Sequence, residues 1–163
     1  MDVDKFATWL GSTEVSKQIG EHGWVTPLVQ SIHILAIAAI MSAILMTNLR
    51  ALGAVGREET LSRFSRRYLP WILFALLVLA VSGSTLIVGE PKRSLENPIF
   101  ILKMGLLLVA LAATAIIHAP LRANGEFWRP AGRTLVLRAL ACSSLAVWAG
   151  IIFAGRWIAY AAT

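Results

Sequence analysis

The sequence predicts an all-α protein: a four-transmembrane-helix bundle with a short amphipathic helical region at its outer N-terminal surface. Three observations carry that prediction. First, 57% of the 163 residues are hydrophobic and 15% are charged, where a soluble domain has roughly half and about a quarter. Second, four apolar stretches, about 25–47, 69–89, 98–118 and 135–157, each approach the roughly 20 residues a helix needs to cross a hydrocarbon core. Third, Leu, Ala, Ile and Met dominate these stretches, with no strand-like alternation bounded by turn signals.

The elements follow in order. Residues 1–22 form an outer interfacial segment of one or two short helices, and residues 23–163 form the transmembrane domain. Phe6, Trp9 and Leu10 give the first segment a small apolar face, which suits the interface where tryptophan prefers to sit. Ser12 and Thr13 stand before Glu14 as capping residues for a second short helix. No cleavable leader is visible, so the first span is expected to target the chain. Gly23 and Pro27 lead into that span, where proline is tolerated near a helix start. Thr60–Arg67 reads as a short separate helix whose arginines meet anionic headgroups. Glu90-Pro91 ends the second span and Asn97-Pro98 opens the third. Asn124-Gly125 is a turn signal. Ala146, Gly150 and Ala154 put small residues at spacing four in the last span, which suits close helix contact inside the bundle or at a homo-oligomer seam. Cys142, the single cysteine, reads as a small buried core residue. Trp157 and Tyr160 read as interface anchors.

The net charge is +6. In a soluble protein this would point to nucleic acid, but here the cations flank spans. Arg50, Arg57, Arg63, Arg66 and Arg67 lie in one connection, and Arg122, Arg129, Arg133 and Arg138 in another. The positive-inside rule puts both connections in the cytoplasm and both termini outside. In a bacterium this means a multi-pass protein of the inner membrane with periplasmic termini. The lipid bilayer is then the first partner, with no nucleic acid expected.

Some polar residues lie inside the spans. A helix rises about 1.5 Å per residue, so His33 sits roughly 6 Å and Lys103 roughly 7–8 Å to the outer side of the midplane, with Arg156 about 13 Å out. Ser82, Gly83 and Ser84 share that outer depth. Ionisable groups there cost several kcal/mol unless paired, hydrated or bound. A lysine and an arginine above one histidine suggest an anionic ligand. Haem b fits this chemistry: its iron takes His33, its propionates take Lys103 and Arg156, and Ser82 and Ser84 line the pocket. Other readings stand beside it: a helix-packing hydrogen bond or a proton relay for His33, and snorkelling for Lys103. His118 falls near the cytoplasmic surface and reads as an interfacial histidine, and His22 reads as solvated. Scattered methionines and the absence of paired histidines disfavour a soft-metal site.

The stretch from Trp24 to Gly53 resembles an uncharacterised bacterial four-helix membrane family. Trp24, Pro27, His33, Leu49, Arg50, Leu52 and Gly53 match its first span, and Gly83, Pro91, Asn97, Phe100 and Lys103 match its second-to-third span link. The pairing of a first-span histidine with a third-span lysine is more distantly similar to two groups. These are the copper-resistance protein D-like membrane proteins and the HemJ-type protoporphyrinogen oxidases, which are four-helix haem b proteins. That resemblance implies His33 as axial ligand and Lys103 as a haem-site residue. Three functions follow as expectations. The first is a b-type haem protein exchanging electrons with a quinol or a periplasmic carrier. The second is a non-redox subunit of a larger membrane complex. The third is a small copper- or solute-handling protein.

Overall fold

Helices are the regular structure of residues 3–157, which the computed structural model describes. Two short helices come first, α1 (Val3–Gly11) and α2 (Glu14–Glu21). The long helices are α3 (Val25–Ala51), α4 (Leu61–Gly89), α6 (Pro98–Ala123) and α7 (Ala131–Trp157), with a short α5 (Pro91–Leu95) between α4 and α6. The four long ones are long and apolar enough to cross a membrane. Only 11–28% of the most apolar window of each is buried inside the chain. Most of that hydrocarbon surface therefore faces outward, as a lipid solvent permits and water does not.

Local chemistry sets the helix boundaries. Thr13 caps α2 by accepting from the Ser16 amide at 3.4 Å, and Thr60 caps α4 by accepting from the Arg63 amide at 3.3 Å. Asn97 opens α6 by accepting from the Ile99 amide at 2.9 Å, with Pro98 in the first turn. Each satisfies an amide that the helix start leaves without a partner. The α3–α4 connection turns on Gly53 and Gly56, both at positive φ. Gly56 is obligatory there, since a Cβ would lie 2.7 Å from the Phe64 ring.

Two boundaries differ from the sequence expectation. The arginine-bearing segment is the first part of α4 and not a separate helix. No glycine or proline interrupts it before Pro70, and a membrane helix tolerates a proline. The link after the second span is not plain loop, because Pro91 starts the one-turn α5.

The long helices pack as two hairpins, α3 with α4 and α6 with α7. The α3–α7 contact joins the hairpins, and α4–α6 closes the ring. The mid-bundle core comprises Ile40, Ala43, Ile44, Ile72, Ala75, Ala110, Trp148 and Ile151. A second core of Ala51, Ile117, Leu121, Trp128, Leu137 and Ala141 fills the arginine-rich end. At the opposite end α1 packs on α5, with Asp4 paired to Lys92 at 3.5 Å. The close approach of α2 to α4 requires Gly89, whose Cβ would lie 2.9 Å from Ile19.

Small residues on α7 serve packing inside the bundle. Ala154 is buried, and a Cβ at Gly150 would meet Leu106 of α6 at 3.7 Å, while Ala146 faces outward. Cys142 is exposed, not buried as the sequence suggested. It follows the fully buried Ala141, and one residue turns a helix by about 100°, which carries the thiol to the outer face. Tyr160 lies outside the described residues.

Candidate functional site

The predicted outer polar layer resolves into a smaller cluster. His33 on α3 is half-buried, and its Nδ1 lies 2.8 Å from the Oγ of buried Ser82 on α4. Ser82 also donates its hydroxyl proton to the Val78 carbonyl at 2.6 Å. A hydroxyl has one proton, so Ser82 Oγ accepts from His33 Nδ1–H. The neutral ring then carries its lone pair on Nε2, the nitrogen left available to a ligand.

Two glycines open space around this centre. A Cβ at Gly83 would lie 3.4 Å from His33 Cε1, at contact distance, so a side chain longer than that of alanine would press on the imidazole. A Cβ at Gly155 would lie 3.9 Å from both Cε and Nζ of Lys103. Lys103 is half-buried and lies within electrostatic range of His33. The structure thus brings together His33, Ser82 and Lys103, contributed by α3, α4 and α6. It does not bring Ser84 to them: Ser84 is exposed on the outer face of α4. Arg156, adjacent to Gly155, is exposed near the end of α7.

His118 is not the interfacial residue the sequence suggested. It is 5% exposed, with Nδ1 2.5 Å from the Oγ of buried Ser65 on α4. Ser65 has no other hydrogen-bond acceptor among the described residues. Both histidines are thus tied through Nδ1 to a serine of α4. Their serines are 17 positions apart on α4, about 25 Å along its axis.

Between them runs a buried polar seam that the sequence reading did not single out. Asn48 Nδ2 donates to Ser144 Oγ at 3.2 Å, joining α3 to α7. Thr47 and Thr114 return their hydroxyls to the carbonyls of Ala43 and Ala110. The indole Nε1 of buried Trp148 has no hydrogen-bond partner among the described residues. Asn48 was visible in the sequence as an amide inside an apolar run, the same signal that drew attention to His33.

Among the described residues, no group of three or more His, Cys, Asp or Glu side chains is arranged to hold a metal ion. Any metal at His33 must bring most of its ligands with it.

Four apolar helices that bury little of their own surface, with one polar cluster near one end, make this a multi-pass α-helical membrane protein. Over residues 7–161 the chain matches the model of DUF6644, a family of unknown function, and it belongs to that family. No curated protein and no solved structure matches it.

Proposed function

We propose that the protein is a b-type haem-binding membrane protein, with His33 as the iron ligand and a redox role at the outer leaflet. The observation that carries this reading is the Val78–Ser82–His33 hydrogen-bond chain, which holds the imidazole in one tautomer with Nε2 unprotonated. Oriented histidine ligands are held this way, by a partner on the second ring nitrogen. A single histidine suffices because the porphyrin itself supplies four nitrogens. Gly83 presents no side chain to the imidazole, and Lys103 would supply the amine that pairs with a propionate. Arg156 is the second candidate for that role, while exposed Ser84 has none in this reading. When bound, the haem supplies one-electron chemistry. The chain's own residues orient the ligand nitrogen and balance the carboxylates.

In the same proposal the arginine-rich end faces the cytoplasm of a bacterium. His33 and both termini then lie on the periplasmic side, within reach of a quinol or a periplasmic carrier. The copper-handling alternative is disfavoured by the scarcity of grouped His, Cys, Asp and Glu side chains among the described residues.

Absorption spectroscopy of protein purified in mild detergent tests the proposal. A Soret band with a b-type haemochrome, lost in His33→Ala, is the expected result. A colourless protein after expression with a haem supply overturns it. The His33–Ser82 bond would then be a link between α3 and α4 in a structural subunit.

A further inference from the structure

A basic cleft lies at the other end of the bundle. Arg63 and Arg66, both exposed on the first turns of α4, border an open cleft of about 520 Å³ together with Thr60 and Ser62. Their neighbours are already committed: Glu59 pairs with Arg67 at 2.6 Å, and Glu126 pairs with Arg129. Arg63 and Arg66 have no acidic partner among the described residues. Two uncompensated guanidiniums one turn apart call for an anion, and the Thr60 hydroxyl, which accepts from the Arg63 amide, keeps its proton to donate to the same kind of group.

What lies below the cleft identifies the anion's carrier. Positions 63, 66, 70, 73, 74, 77 and 81 follow the spacing that keeps residues on one face of a helix. Below the two arginines and Pro70, that stripe is Leu73, Phe74, Leu77 and Val81, between 53% and 63% exposed. Arg66 to Leu77 is 11 residues, about 16 Å of helix, and one leaflet's hydrocarbon is about 15 Å deep. Trp71, 64% exposed, lies about 7.5 Å below Arg66, at the depth where interfacial indoles sit. A free phosphate has no use for the apolar stripe, whereas a phospholipid uses both parts.

We infer that this face of α4 binds an anionic phospholipid, its phosphate between Arg63 and Arg66 and an acyl chain along Leu73, Phe74, Leu77 and Val81. The site is independent of the haem proposal, being built from residues that proposal does not use.

Native mass spectrometry of the full chain, titrated with phosphatidylglycerol or phosphatidylcholine, tests it. The wild type is expected to retain phosphatidylglycerol in preference to phosphatidylcholine. Near a membrane surface each arginine contributes about 1 kcal/mol. Arg63→Ala with Arg66→Ala should therefore weaken phosphatidylglycerol about 10- to 30-fold, and the two lysine substitutions should restore part of it. Arg57→Ala with Arg133→Ala removes equal charge from the same end and should leave the affinity within about threefold. Equal losses in the two alanine pairs would reduce the effect to net charge and overturn the site, as would no loss in either. Displacement of the lipid by millimolar glycerol phosphate would show that the stripe contributes nothing, and would overturn the acyl part of the inference.

Discussion

Replacing Ser82 by alanine removes the one acceptor that fixes the His33 tautomer. Ser82 is 5% exposed, so no bulk water takes its place at Nδ1. The lost side-chain hydrogen bond in a membrane interior costs on average about 0.6 kcal/mol and at most about 1.7 kcal/mol. At about 1.4 kcal/mol per tenfold, stability changes little. Ligand orientation changes more, since loss of an outer-shell partner typically weakens metal binding about 10- to 100-fold. The assay is haem titration of apoprotein in detergent, followed at the Soret band, on Ser82→Ala, Ser82→Thr and Ser84→Ala. Ser82→Ala should fall in that range while remaining folded by circular dichroism. Ser82→Thr retains the hydroxyl and should recover most of the affinity. Ser84→Ala should match the wild type, because Ser84 is exposed. Equal losses at Ser82 and Ser84, or none at Ser82, would refute the tautomer argument.

Other outcomes follow from the same geometry. His118→Ala should leave haem content per chain unchanged while lowering thermal stability in detergent, since His118 is bonded to Ser65, about 25 Å along α4 from Ser82. Gly56→Ala forces a left-handed backbone on a residue with a Cβ and meets Phe64, so it should cost about 1–2 kcal/mol or more in unfolding titrations. In a double-mutant cycle, Asn48→Ala and Ser144→Ala should couple by about 0.6 kcal/mol, with about 1.7 kcal/mol as the upper bound. Additive effects of that pair would mean the bond contributes nothing.

The spans were legible because lipid demands a length of apolar chain that little else in a sequence produces. The positions of His33 and Lys103 along their helices were legible too, since a helix converts residue number into distance. Facing was not. In water, a helix shows its buried side as an apolar stripe. Here Leu77 faces outward and Ile72 inward with equal hydrophobicity, so the stripe disappears. That is why Ser82 and Ser84 looked alike although two positions turn a helix by about 200°. It also explains the misreading of Cys142, one position past an inward-facing alanine. His118 was misplaced for a different reason: α4 runs on past the apolar stretch, so its Ser65 covers a histidine that span length alone put near the surface.

The central claim rests on iron at His33, and oxidised and dithionite-reduced spectra with a pyridine haemochrome assay test it most directly. The wild type and His118→Ala should each show a b-type spectrum near one haem per chain, and His33→Ala should show none. A Soret band of undiminished intensity in His33→Ala, or a wild-type protein without pigment despite a haem supply, would contradict the account.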